Sequence, residues 1–246
     1  MEKKELVLGK NAVREAIAAQ TAIQKIFISE TLDKEETKLL VRLARGSGIP
    51  VLRVPKSKLD RLSRFNHQGV VAITASIPFH QVQNLVDGLF LQGIAPAVAV
   101  CDGISDVRNF GAIARSAEVF GLHGLLIGTK NSAPVNSEAI KASSGALMSL
   151  PVCREKNLLH GVRQLKDSGL VILCASERAD KSVREVDLCR PLAIVLGSEG
   201  TGVSAEILAV ADEVAGIPTP GKIQSLNVSV AAGILFYEYM LQNRSE

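Results

Sequence analysis

Gly197, Gly200 and Gly202 surround a single carboxylate, Glu199, directly after an apolar run that ends at Leu196. Glycine tolerates φ > 0 and lets backbone approach a bound molecule, so this turn is suited to hold a ligand by main-chain groups with one anion beside it. A second such loop, Pro218 to Gln224, follows a strand expected to end at Ile217 and precedes a helix opened by Ser225-Leu226-Asn227. Two loops of this kind, each after an apolar strand and each leading into a helix, mark the ligand-binding end of an α/β sheet. Ser225 and Asn227 are N-cap types that can also turn polar groups toward the strand ends. Arg115 is the one cation of a mostly small, apolar helix, expected to be buried or half-buried near a strand's carboxyl end. A guanidinium so placed must meet a carboxylate, phosphate or carbonyl, either in a structural salt bridge or against a ligand.

The elements that position these residues are legible from periodicity. Val228, Ala231, Ala232, Leu235, Phe236, Tyr239 and Met240 repeat at i, i+3, i+4 and predict a final helix with one apolar face. Upstream, 193–196 and 97–101 read as buried strands, and a short helix starts at Ser204. The second half of 107–121 reads as a helix with Phe110, Ile113, Ala114, Ala117 and Phe120 inward and Gly121 as its stop. Strands at 125–128, 149–153 and 170–175 and helices at 137–141 and 158–166 continue a β-α series, while the small residues 142–146 suggest close backbone packing. The fold class is α/β. Residues 1–76 form a compact unit with helices at 12–19, 33–44 and 56–62 and strands at 25–29, 49–54 and 69–74, which favours a small, mostly parallel sheet. Breaks at Ile77-Pro78 and Gly93 to Pro96 frame one amphipathic helix and predict a linker over 77–95, leaving 96–246 as the second domain.

The 246 residues are 47% hydrophobic and 22% charged, an ordinary globular composition. Their charge is uneven: residues 1–80 carry 14 Lys+Arg against 8 Asp+Glu, and the remainder 14 against 17. A basic first third suggests a module that handles a polyanion. Arg53, Lys56, Lys58, Arg61 and Arg64, followed by Asn66-His67-Gln68-Gly69, form its most basic stretch and are candidates for contact with an RNA backbone. Cys101, Cys153, Cys174 and Cys189 include no C-x-x-C pair, so reduced thiols in a cytoplasmic protein and no metal site are expected. The opening MEKKELVLGK lacks an apolar signal core, and neither secretion nor membrane insertion is expected. No G-x-G-x-x-G follows the first strand of the second domain. Gly216 to Lys222 approaches a P-loop but fails it, because Pro218 and Pro220 have no N–H to offer and Ile223 stands where a Mg²⁺ ligand is required. The four histidines are dispersed, and none sits beside a candidate nucleophile.

Three segments taken together resemble one family. Asn109-Phe110-Gly111-Ala112-Ile113-Ala114-Arg115-Ser116-Ala117 is similar to its first motif and Leu196-Gly197-Ser198-Glu199-Gly200-Thr201-Gly202 to its second. Ile217-Pro218 through Ser225-Leu226-Asn227-Val228-Ser229-Val230-Ala231 is similar to its third. The family is the SpoU/TrmH-type RNA ribose 2′-O-methyltransferases of the SPOUT superfamily. Gly9 and Asn66-His67-Gln68-Gly69-Val70-Val71-Ala72 resemble the ribosomal-protein-like (L30e-like) substrate-binding domain of members that modify large-subunit ribosomal RNA. The resemblance implies a methyltransferase domain tied in a trefoil knot, a homodimer, and S-adenosylmethionine in a pocket of the knotted loops near the subunit contact. It implies that Gly197, Ser198, Gly200, Ile217, Ser225 and Leu226 hold the cofactor, and that Asn109, Arg115, Glu199, Ser225 and Asn227 occupy active-site positions. Thr219-Pro220 replaces the Met that usually follows Ile-Pro in the family. Arg115 is then either the base that takes the 2′-OH proton or a charged anchor for phosphate and alkoxide. The implied substrate is a guanosine of 23S ribosomal RNA, with transfer RNA as the alternative target and a non-catalytic RNA-binding protein as the alternative function.

Overall fold

Short, wholly apolar runs such as Leu192–Leu196 and Ala97–Cys101 cannot present a wet face, so they form the middle of a sheet covered on both sides. A computed structural model describes residues 6–19, 21–74, 77–221 and 225–244; Lys222, Ile223 and Gln224 of the second loop lie outside the described residues. The chain divides into two compact units, Met1–Pro78 and Phe79–Glu246.

In the first unit, β1 (Leu6–Leu8), α1 (Lys10–Ala18), β2 (Ile23–Ser29), α2 (Lys34–Gly46), β3 (Val51–Val54), α3 (Lys56–Leu62) and β4 (Val70–Thr74) follow one another. The sheet order is β1-β4-β2-β3. β2 and β3 are parallel, but β4 runs antiparallel to both β1 and β2, which corrects the expected mostly parallel sheet. The reason lies in the connection. β2 and β3 finish at the same end, where Glu30 N donates to Val54 O. The seven-residue α3 and the loop after it stay at that end, where Ser29 N donates to Gly69 O, so the chain can only enter β4 from there. α2 is capped by Asp33, whose carboxylate accepts from Glu35 N and Glu36 N. Val13, Ile17, Ile26, Leu40 and Ala44 meet in the core of this unit.

The second unit runs α4 (Val82–Leu91), β5 (Ala97–Cys101), α5 (Val107–Val119), β6 (Gly124–Gly128), α6 (Ser137–Ala142), β7 (Val152–Glu155), α7 (Leu158–Asp167), β8 (Val171–Ala175), β9 (Leu192–Leu196), α8 (Ala205–Leu208), β10 (Glu213–Ala215) and α9 (Val228–Asn243). Its six strands are all parallel, in the order β10-β8-β9-β5-β6-β7. α4, placed by sequence in a linker, buries Val82 and Val86 in the core of this unit with Leu126, Val162 and Leu165. α5 is helical from Val107 rather than over its second half, because Asp106 caps it by accepting from Arg108 N and Asn109 N. β10 ends at Ala215, two residues short of the expected Ile217. A Cβ on Gly111 would lie 2.5 Å from Ala142 Cβ, so a glycine inside α5 is what lets α6 pack this closely. Among the described residues, no helix is long and apolar enough to cross a membrane.

Candidate active site

β9 sits between β8 and β5, and all five of its residues are buried. The chain leaving it folds straight back on itself. Ser198 N donates to Gly202 O at 3.2 Å and Gly202 N to Ser198 O at 2.9 Å, while Gly200 and Gly202 take φ of 93° and 70°. A Cβ on Gly197 would lie 2.0 Å from Gly202 C and 2.1 Å from Val203 N, so no other residue fits there without opening the turn. One more hydrogen bond ties the turn to the sheet: Asp102, just past β5, accepts from Ser204 N at 2.7 Å.

The turn projects Glu199 toward two amides from distant parts of the chain. Asn109 lies in the first turn of α5 and donates through Nδ2 to Glu199 Oε1 at 3.1 Å. Asn227 is the N-cap of α9, with Oδ1 accepting from Ser229 N, Ser229 Oγ and Val230 N. That cap fixes which end of its amide faces away from the helix, so Nδ2 donates to both Asn109 Oδ1 at 3.1 Å and Glu199 Oε1 at 2.5 Å. Asn109, Glu199 and Asn227 thus close a triangle of hydrogen bonds. Among the described residues, Glu199 has no cation partner. It is left as an anion whose lone pairs are only partly used.

Next to this triangle lies a cavity of about 570 Å³, within the range that holds small molecules. Gly197, Ser198, Glu199 and Gly200 line it from the first turn, and Ile217, Ser225, Leu226 and Asn227 from the second. Val203, Ala231 and Leu235 supply an apolar wall. The structure therefore brings together every residue expected to hold a cofactor, together with Glu199, Ser225 and Asn227; Asn109 stands at the edge through its hydrogen bonds. Ser176, Glu177 and Arg178 also line the cavity and were not foreseen. The signal was their place just past the end of β8, next to β9, where loops of a parallel sheet gather.

Arg115 is the exception. It was expected to be buried or half-buried, yet it is exposed, does not line the cavity, and pairs with no described residue. It stands six residues after Asn109 on α5, about 9 Å along the axis and about one and two-thirds turns around it, so it leaves the helix in a different direction. Arg53, Lys56, Lys58, Arg61 and Arg64 are all exposed on the first unit; Lys56 and Arg64 border a second cleft there, and Lys58 lies over the Phe27 ring. Burial pushes the thiols of Cys101, Cys153 and Cys174 up to about 12, so none supplies a nucleophilic thiolate. No cluster of metal-binding side chains occurs among the described residues.

Two family models match this chain: the SpoU rRNA Methylase family over residues 96–237, and RNA 2′-O ribose methyltransferase substrate binding over residues 6–79. A Staphylococcus saprophyticus protein named for the TrmH family of tRNA/rRNA methyltransferases is 37% identical over 95% of this chain and 94% of its own length. YacO of Bacillus subtilis strain 168, named for the same family, is 33% identical over 96% of this chain and 95% of its own. The AdoMet-bound rRNA methyltransferase of Sinorhizobium meliloti has the same fold, with a TM-score of 0.61 at 22% identity, covering 98% of this chain and 88% of that one.

Proposed function

The chain belongs to the SpoU rRNA methylase family of RNA methyltransferases, and we propose that it transfers the methyl group of S-adenosylmethionine to a ribose 2′-hydroxyl of a structured RNA in the cytoplasm. The observation that carries this reading is the Asn109–Glu199–Asn227 triangle at the rim of a glycine-walled cavity. The target in this reading is a guanosine of 23S ribosomal RNA. The relatives' names span both tRNA and rRNA, so transfer RNA is the second target to test.

The residues fit a sulfonium donor. Gly197 and Gly200 offer main chain without obstructing side chains, Ser198 offers a hydroxyl paired with Thr201, Leu226 and Leu235 offer apolar surface, and Glu199 places a negative charge at the rim, where a cationic ligand is favoured. When bound, the donor supplies an activated methyl group, and this chain's part is to bring a hydroxyl into line with it. Asn109 and Asn227 hold the Glu199 carboxylate through its Oε1. Of the three side chains, only the carboxylate can accept a proton, and so Glu199 orients the 2′-OH and is placed to receive its hydrogen. Arg115 is charged and serves as the anchor for phosphate and developing alkoxide.

An exposed Arg115 can do this only if a second copy completes the site. α9 carries a second apolar stripe at Val230, Ile234, Tyr237 and Leu241, all exposed and spaced as one helical face. Tyr237 meets Phe120 edge-on at 5.7 Å, and α5 adds the exposed Val119, four residues beyond Arg115. A homodimer through these faces buries the stripe, and the reading requires the partner's Arg115 to reach the cavity. The trefoil knot belongs to the same reading. The L30e-like first unit, with its basic α3, is the RNA-holding part. Incubation with labelled S-adenosylmethionine and separated RNA species, followed by mapping of the modified nucleotide, tests the assignment. Transfer to no RNA species, or to a base instead of a ribose, overturns it.

A further inference from the structure

The first unit holds a second cleft, of about 710 Å³, between the end of β2, α3 and the loop 63–69. This loop is held from inside. Ser63 Oγ accepts from Phe65 N at 3.1 Å, and Asn66 Oδ1 accepts from Gln68 N at 3.2 Å. His67 is buried. Its Nδ1 accepts from Gly69 N at 3.0 Å, which leaves the ring hydrogen on Nε2, and Nε2 donates to Asp60 Oδ1 at 2.9 Å. Gln68 and Gly69 take φ of 47° and 79°, and a Cβ on Gly69 would come within 3.2 Å of Leu32, so the turn has little room to rearrange.

What this rigid loop presents is a phenyl ring. Phe65 is 78% exposed at the rim of the cleft, flanked by Arg64 in sequence and sharing the cleft with Lys56. A ring left in water forgoes the burial that drives folding, and a loop pinned by its own hydrogen bonds cannot fold over to cover it. In the same cleft, Asp60 Oδ2 and the Asn66 amide NH₂ have no hydrogen-bond partner among the described residues, Asn66 Oδ1 being taken by Gln68 N. An aromatic face, two cations and hydrogen-bonding groups of both kinds match one chemistry closely. A base stacks on the ring, flanking phosphates meet the cations, and the base edge meets the carboxylate and the amide.

We infer that this cleft seats one unpaired nucleotide of an RNA loop, its base stacked on Phe65 and its phosphates held by Lys56 and Arg64. The inference rests on the RNA reading above and adds a specific contact to it: the first unit recognises a base that is out of its helix, not only a run of phosphates. Paired RNA has no free base face to offer, so the cleft discriminates against duplex.

The test uses the full chain and a hairpin RNA with 2-aminopurine in its loop, with a duplex of the same stem as control. Phe65→Ala removes a solvent-exposed side chain and is checked for folding by circular dichroism. It is expected to weaken hairpin binding by roughly tenfold, the scale of one lost base–aromatic stack, and to leave duplex binding and the salt dependence unchanged. Phe65→Trp restores affinity and the 2-aminopurine fluorescence change. Lys56→Ala weakens both RNAs and lowers the slope of log K against log salt by about 1. Hairpin binding by Phe65→Ala within about twofold of the parent, or an equal loss on hairpin and duplex, overturns the inference. Methyl transfer to bulk RNA is measured in parallel. Phe65-dependent hairpin binding without transfer by the parent leaves the cleft assigned and removes the enzyme reading; transfer by a parent whose binding ignores Phe65 does the reverse.

Discussion

Asn227 performs two tasks, and one substitution separates them. In Asn227→Asp the retained oxygen still caps α9, since Asp and Asn are equivalent N-caps, and the added charge at a helix N-terminus favours the fold slightly. The other end changes from an amide donating to Glu199 Oε1 at 2.5 Å into a carboxylate facing a carboxylate. Two such charges repel by about 1 kcal/mol in bulk water and about 4 kcal/mol at the dielectric typical of a protein surface, and this exposed rim lies between those limits. Exposed as it is, Glu199 escapes by swinging away, so Tm stays near that of the parent; bringing it back costs the repulsion at about 1.4 kcal/mol per tenfold, and kcat/KM for methyl transfer falls by roughly five- to several-hundredfold. Asn227→Ala, by contrast, loses the cap as well and costs about 1 kcal/mol of stability. The double variant Glu199→Gln with Asn227→Asp restores an amide facing a carboxylate with the ends exchanged. It is expected to recover the lost contact, read as a coupling term in a double-mutant cycle on thermal melts, while transfer stays low because the amide then at position 199 accepts no proton. Near-parental activity of Asn227→Asp would show that the triangle is capping and nothing more, and the proposed site would lose its central contact.

Gly197→Ala forces a Cβ into a space 2.0 Å from Gly202 C, so it is expected to cost about 1–3 kcal/mol of stability and to abolish S-adenosylmethionine binding by calorimetry. Arg115→Ala is expected to keep cofactor binding and lose transfer, and Arg115→Lys to lose most of it because the planar fork is gone. If the partner's Arg115 completes the site, mixing inactive Arg115→Ala with inactive Glu199→Gln gives heterodimers with one working cavity, and activity returns to about a quarter of the parent's; no recovery on subunit exchange refutes the shared site. Burial holds the His123 ring below the ordinary imidazole value of 6.5, with Nδ1 accepting from Ala97 N at 3.0 Å. The unfolded chain therefore binds that proton more readily. The contribution of His123 to stability is fully present above about pH 6.5 and is lost as pH falls through the depressed folded value. In denaturant titrations across that window, a His123→Asn variant is expected to show a flatter profile than the parent.

What could be read from the residues alone was whatever depends on local pattern. The buried face of α9 carries Val228, Ala232, Leu235, Phe236 and Tyr239 as its periodicity required, and the small residues after Lys141 do pack closely, Ala142 against Gly111. The glycine turn after β9 was legible because only a residue without Cβ can stand at Gly197. The direction of β4 was not legible, because a βα alternation says that a strand comes next and not from which end; the short α3 and the pinned loop after it decide that. Nor was the start of α5. Asn109 and Gly111 are weak helix formers, and their cost is offset by the Asp106 cap and by contact with α6.

Arg115 shows the same limit at the site itself. Its company of small and apolar residues suggested burial, but Phe110, Ile113, Ala114 and Ala117 occupy the buried side of α5 and leave position 115 outside it. α9 makes the corresponding point from the other direction. It is apolar on nearly every side, as a helix covered all round would be, although one of its stripes meets water in a single copy. An exposed apolar stripe on the helix packed against α5 is costly for a finished monomer, and an exposed Arg115 outside the cavity leaves the proposed site without its cation. Both features are accounted for if the chain was selected as half of a pair, with each copy lending its guanidinium to the other's cavity. On that account, changing Ile234 or Tyr237 to Glu should give a folded monomer that still binds S-adenosylmethionine weakly and transfers no methyl group, because what is lost is the neighbour's Arg115 and not any residue of its own site.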